Sequence, residues 1–225
     1  VSMFAVLAAV TLLAGCEDKT AGDNPLPKLG ADISQTSVSG ISSGAYMAGQ
    51  FELAHAKIVS GAAIIAGGPW GCAESAFARM MPGFGAEMMN INKAVNGCMS
   101  NKMAALGVPN PAVLAEKAKR RAADGELDPT SDAASDRVYL FSGQQDRTVV
   151  PAIVQSARAF YAALGVPDAN IQFEQSYPAG HAFVTDDSGL SCEKTGEPYV
   201  VDCDYDQAGA LLKHIYGKLN ARAEP

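Results

Sequence analysis

Thr36-Ser37-Val38-Ser39-Gly40-Ile41-Ser42-Ser43-Gly44-Ala45 is the stretch from which the fold of this 225-residue chain is read. Thr36 to Ser39 reads as a short strand and Ser43 to Ala54 as a helix, so Gly40-Ile41-Ser42-Ser43-Gly44 falls in the turn between them. A G-x-S-x-G turn in that place forces the serine backbone into a strained conformation and asks for small neighbours at both flanking glycines. It presents the serine hydroxyl at a helix N-terminus, where developing negative charge is favoured. Glycine and serine are common in this chain, so the pattern takes its meaning from the strand-to-helix context.

Outward from the turn, strand and helix signals alternate. Ile58 to Ala66 is a nearly continuous apolar strand, and Arg137 to Ser142 and Asn170 to Tyr177 are further strands. Pro151 to Leu164 reads as a helix with proline in its first turn and Gly165 at its end, and Asp206 to Asn220 as the last helix. This alternation predicts an α/β fold, a mainly parallel sheet with helices on both faces. Residues 72–136 break the rhythm and read as a loop insertion holding Met80, Met81, Met88, Met89, Met99 and Met103, the residue types and length of a lid or binding surface or, equally, of ordinary core filler. The hexapeptide Ala-Ala-Leu-Gly-Val-Pro occurs at 104–109 and again at 162–167, which reads as two similar helix stops.

A serine hydroxyl needs a base before it can attack a carbonyl. His181 is the one histidine in a loop after a strand, whereas His55 ends the helix behind Ser42 and His214 lies within the last helix. The base needs an orienting carboxylate, which Asp146 supplies just past the strand Arg137 to Ser142; Asp136, Asp186 and Asp187 are lesser candidates. Ser42, Asp146 and His181 follow the serine, acid, histidine order of α/β-hydrolases, each at the sheet edge where open α/β folds place their sites. The N–H of Ser43 is the expected oxyanion donor.

The balance of the chain narrows the partners. Seventeen Lys and Arg against 24 Asp and Glu give a net charge of -7 with no basic block, so nucleic acid would be repelled. The apolar run Met3 to Leu13 is too short to span a bilayer and leads into Leu13-Ala14-Gly15-Cys16, which resembles a lipoprotein cleavage site. The expectation is a signal peptide over 1–15, a lipid on Cys16 and a tether over 16–34, followed by a catalytic domain over 35–225. Glu17 after the cysteine points to the outer membrane of the cell envelope. Cys72, Cys98, Cys192 and Cys203 then remain as an even set suited to an exported, oxidising setting. Local pairing, Cys72–Cys98 and Cys192–Cys203, closes small loops. Zinc is the rival reading, but no C-x-x-C is present and histidines are few, so no metal and no cofactor are expected.

Two stretches carry a resemblance. Ser39 to Ala73 contains Ser-Gly-Ile-Ser-Ser-Gly-Ala-Tyr-Met-Ala and then Ala-Gly-Gly-Pro-Trp-Gly-Cys-Ala, and the tail runs from Ser191-Cys192 through Asp202-Cys203-Asp204-Tyr205-Asp206 to Ile215-Tyr216-Gly217-Lys218-Leu219-Asn220. Over most of Val38 to Arg222 the chain resembles the extracellular poly(3-hydroxybutyrate) depolymerase family. The resemblance implies a carboxylic ester hydrolase acting on polyhydroxyalkanoate or its oligomers, with Ser42, Asp146 and His181 as triad. A hydrolase of oxidised polyvinyl alcohol or of small feruloyl-type esters would share these features, and a non-catalytic envelope lipoprotein is the reading from another class. That family includes circularly permuted members in which strands and a His-Gly oxyanion loop follow the last helix. The early elbow therefore raises the expectation of an incomplete, permuted hydrolase whose second oxyanion donor lies past Pro225, and whose strand Thr36 to Ser39 sits at a sheet edge open to association.

Overall fold

The computed structural model describes residue 27 and residues 29–74, 83–101 and 107–221. The expected signal peptide and Cys16 lie outside these residues, as do Met80, Met81, Met103 and the start of the first hexapeptide repeat. All elements below belong to the compact unit Asp32–Pro225.

In chain order these are β1 (Thr36–Ile41), α1 (Ser43–Ala54), β2 (Val59–Ile65), α2 (Phe84–Gly97), α3 (Pro111–Ala123), α4 (Thr130–Ala133), β3 (Arg137–Phe141), α5 (Pro151–Leu164), β4 (Ile171–Glu174), β5 (Phe183–Thr185), β6 (Leu190–Ser191), β7 (Val200–Asp202) and α6 (Gln207–Tyr216). β1 to β4 form a parallel sheet in the order β1-β2-β3-β4, with β1 at one edge. Parallel neighbours need a crossover, and α1, the α2–α4 segment and α5 supply the three.

The period-2 alternation of the strands divides the interior. Ala62 and Ile64 of β2, with Val138 and Leu140 of β3, face a core built with Leu53, Ala118, Ile153 and Phe160 from α1, α3 and α5. Ala63, Ile65, Tyr139 and Phe141 face the opposite way, onto Leu211 and Ile215 of α6 and onto Val184 and Val201 of a second small parallel sheet, order β5-β7-β6. The architecture is α/β-hydrolase-like, a parallel sheet covered on both faces, as the alternating pattern predicts.

The described residues of the segment expected as a loop insertion are mainly helical, in α2, α3 and α4. α3 starts where the Asn110 side chain accepts from the Val113 N–H and Pro111 occupies the first turn, and it closes with Arg120 and Arg121 in its last turn. Cys72–Cys98 ties the end of α2 back to the loop after β2, and Cys192–Cys203 ties the start of the loop after β6 to the residue after β7. Both disulfides fit an exported protein. Gly165 ends α5 in the left-handed conformation, φ 105°, as a helix stop should.

Beneath α1 lies a buried pair of acids. Glu52 and Asp136 are 0% and 3% exposed and face one another within hydrogen-bonding reach, and the Tyr161 hydroxyl donates to Glu52 Oε2. Two carboxyl groups in a dry setting hold one proton between them more easily than two charges. Burial lifts Glu52 well above the usual range and lifts Asp136 from 3.8 to about 7. Between the two ranges the folded chain thus retains protons that the unfolded chain releases, so this pair stabilises the fold below about pH 4, and the share carried by Asp136 is lost as pH rises through about 7 while Glu52 still holds a proton. Melting temperature, followed by calorimetry across that window, should fall more steeply with pH in the parent than in Asp136→Asn. A difference between the two proteins that stays constant across the window would rule out the shared proton.

Candidate active site

The strands deliver Ser42, Asp146 and His181 to one edge of the sheet. Past β1, the Ser42 N–H donates to Ile65 O at 2.9 Å, and past β3, the Ser142 N–H donates to Glu174 O at 3.0 Å, so the ladder continues to the loops that carry the site. Ser42 is the N-cap of α1 with φ 56° and ψ -121°, a positive φ that a non-glycine residue adopts only under constraint. Its side chain makes no capping bond to the helix. Serine caps a helix by turning its oxygen onto the first amides; here the hydroxyl is not used that way.

The two glycines flanking the turn differ in what they do. A Cβ on Gly40 would lie 2.3 Å from the carbonyl carbon of Gly44, so the first turn of α1 can seat against the end of β1 only above a glycine. Among the described residues, a Cβ on Gly44 would meet nothing within 4 Å. The expectation that both positions need small residues therefore holds for the first and not for the second.

Asp146 and His181 are brought together by hydrogen bonds between their loops. Gln144 N–H donates to Tyr177 O and Gln145 N–H to Ala179 O, each at 3.0 Å. Gly143 allows this approach, since a Cβ there would sit 2.2 Å from Ala179 O. Tyr177, at the base of the histidine loop, stacks on Tyr205 with ring centroids 4.5 Å apart and so fastens the loop to the start of α6. The result is a buried pair: His181 Nδ1 lies 2.8 Å from Asp146 Oδ2, with the two residues 6% and 0% exposed. The other oxygen, Oδ1, accepts from the N–H groups of Thr148 at 2.8 Å and Val149 at 2.9 Å. A carboxylate only accepts, so Nδ1 carries the hydrogen and Nε2 remains an acceptor.

Ser42 and His181 line one cavity of about 390 Å3 together with Thr148, Thr195 and Tyr199. Ser43 opens α1, where backbone N–H groups have no partner within the helix. Thr195 escapes sequence reasoning although its Oγ1 accepts from the His181 N–H at 2.8 Å. It lies in the segment that Cys192–Cys203 closes into a loop, and that bracketing was the one sequence signal available. The remaining histidines do other work. His55 packs its ring on Phe51, and His214 Nε2 bonds to Asn170 O at 2.9 Å. Among the described residues no group of His, Cys, Asp and Glu is arranged to hold a metal ion.

No family model matches the chain. A poly(3-hydroxybutyrate) depolymerase of Delftia acidovorans is 39% identical over 198 residues, which is 88% of this chain and 36% of that protein. A polyhydroxybutyrate depolymerase of Talaromyces funiculosus is 32% identical over 204 residues, 88% of this chain and 52% of that protein. Two solved structures share the fold at 30% identity, covering 85% of this chain and 54% of theirs. One is a Ser-to-Ala variant of a PHB depolymerase complexed with an R3HB trimer, TM-score 0.71, and the other the PHB depolymerase of Penicillium funiculosum, TM-score 0.70. The chain thus spans between a third and about half of the length of these relatives.

Proposed function

We infer that this chain, which belongs to the poly(3-hydroxybutyrate) depolymerase family, carries a serine esterase site that hydrolyses ester bonds of a polyhydroxyalkanoate or its oligomers. One observation carries the reading: a serine on a strained turn at a helix N-terminus shares a cavity wall with a histidine whose far nitrogen is held by a buried carboxylate. In this reading His181 Nε2 takes the Ser42 proton as Oγ attacks the ester carbonyl, and the oxyanion forms against the Ser43 N–H. Collapse breaks the bond to the alcohol oxygen, which leaves with the proton from His181. Water, deprotonated by His181, then attacks the acyl-enzyme; the bond from the carbonyl carbon to Ser42 Oγ breaks, Oγ takes the proton back from His181, and the acid is released.

The test is labelling by a fluorophosphonate, with the modified residue located by mass spectrometry, alongside clearing of poly(3-hydroxybutyrate) granules and hydrolysis of short p-nitrophenyl esters. Labelling of Ser42 with release of 3-hydroxybutyrate oligomers is expected. Labelling with turnover of short esters alone would move the substrate to small esters, and no labelling would leave a non-catalytic envelope protein.

The same reading places the catalytic domain over 35–225, behind a signal peptide over 1–15, a lipidated Cys16 and a tether over 16–34. The lipobox-like Leu13-Ala14-Gly15-Cys16 supports it. Changing Cys16 to Ser should release the protein from the envelope or stall its processing. Unaltered membrane retention of that variant in a fractionation experiment would refute the anchor.

A further inference from the structure

Ser42 borders a second cavity, distinct from the one it shares with His181. This second space, about 450 Å3, lies between α1 and the end of α2, and the wall includes Met47, Ala73, Ala94, Met99 and the Cys72–Cys98 disulfide. Of the described residues lining the two cavities, only Ser42 belongs to both. Among the described residues, the lining of the second is apolar apart from the hydroxyls of Ser42, Ser43 and Tyr46 and the amide of Gln50, and it includes no charged side chain.

The walls are held from behind. The Tyr46 hydroxyl donates to the Cys98 carbonyl, joining α1 to the end of α2 across the cavity. The Tyr46 hydroxyl sits where a Cβ on Gly68 would come within 2.6 Å of it, so the glycine makes that position available. The Val150 N–H donates to Met99 O at 3.1 Å. Next to Ala73, Glu74 takes Lys93 Nζ on its carbonyl at 2.8 Å, and Lys117 at 2.7 Å and Arg121 at 2.9 Å on its carboxylate. A cavity whose walls are fixed in this way before ligand arrives can discriminate by shape.

Proton bookkeeping assigns the two cavities. The alcohol oxygen that leaves must take its proton from His181, so the alcohol part of the ester lies in the cavity that His181 lines. The water that replaces it is activated from the same side. The acyl part is bonded to the same carbonyl carbon and stays on Ser42 Oγ through both steps, so it must lie on the other side of Ser42. We propose that the cavity between α1 and α2 receives the acyl part of the ester, and that Ala73, Ala94 and Met99 set the length of acyl chain accepted. A polyester chain would then cross the site in one direction, its carboxyl-bearing side between α1 and α2 and its alcohol-bearing side past His181. This assignment rests on the reading of Ser42 as nucleophile and His181 as base.

The test compares two ester series on the full chain: p-nitrophenyl esters of rising acyl length with one leaving group, and acetate esters of varied alcohols. Ala94→Leu should lower the ratio of kcat/KM for octanoate to that for acetate by about tenfold or more, the scale at which a pocket rejects added methylenes, and should leave preferences in the alcohol series as they were. Met99→Ala should raise the same ratio. Tyr199→Ala, in the His181 cavity, should alter the alcohol series and leave the acyl ratio in place. Ala73→Leu fills the cavity from another wall and takes the place of Ala94→Leu if that protein does not fold. Fluorophosphonate titration of the parent separates the two possible failures. Stoichiometric labelling of Ser42 with an acyl ratio that ignores Ala94, Ala73 and Met99, or an alcohol series that follows them, overturns the assignment alone; absence of labelling overturns the nucleophile and the assignment with it.

Discussion

Replacing Ser42 by alanine is expected to lower kcat for ester hydrolysis by at least about four orders of magnitude, the scale on which loss of a nucleophile is felt, and to leave stability almost unchanged. The second half is unusual for a serine at an N-cap, where truncation to alanine ordinarily costs about 1 kcal/mol. Here the side chain makes no capping bond, and the strain at φ 56° belongs to the backbone, which alanine retains. The hydroxyl is therefore released from structural work and left for chemistry. Kinetics on a p-nitrophenyl ester, with the melting temperature recorded on the same samples, check both halves together. Activity within tenfold of the parent would remove Ser42 from the nucleophile role. A fall in activity matched by a large fall in melting temperature would mean that the hydroxyl supports the turn and would not count as evidence for catalysis.

Much of this site is legible in the sequence because its parts lie at punctuated boundaries. The elbow lies between a strand and a helix, Pro151 opens α5 and Gly165 closes it, and β2 and β3 are buried on both faces and so read as apolar runs. Asp146 and His181 could be picked out because each follows a strand, which places it at the carboxyl edge of a parallel sheet. The segment 72–136 is another matter. Four apolar residues of α2 (Phe84, Met88, Ile91 and Val95) follow helical spacing yet are exposed, so the pattern is one that ordinarily marks a buried face. The capping signals of α3 at Asn110 and Pro111 were present, but they lie within a stretch whose methionines and glycines favour a loop reading. Strands β5 to β7 are two or three residues long, below the length at which alternation can be recognised. Thr195 and Tyr199 reach the site because the chain folds back over His181 under a disulfide, a relation between distant segments that local sequence does not encode.

Asp146→Asn is expected to reduce kcat by about four orders of magnitude, the effect seen when the carboxylate behind a catalytic histidine becomes an amide. The bonds around this side chain explain why so small a change should matter. Asp146 Oδ1 accepts from the Thr148 and Val149 N–H groups while Oδ2 accepts from His181 Nδ1, so every neighbour is a donor. Asparagine offers one acceptor and one donor. If its oxygen stays with the loop amides, its NH2 meets His181, and the imidazole must move its hydrogen to Nε2 to offer Nδ1 as acceptor. Nε2 is then no longer free to take the Ser42 proton. If instead the oxygen turns to His181, the tautomer survives, but the N–H of Val149, a fully buried residue, and that of Thr148 face a donor, at a cost of about 1–3 kcal/mol for each buried amide left without an acceptor. The loop that carries the acid would then loosen. Kinetics and melting temperature together distinguish the two arrangements: loss of kcat at nearly constant melting temperature marks the first, and loss of both marks the second. A variant that retains activity within tenfold would show that His181 does not depend on Asp146, and the acid of the site would have to be sought elsewhere.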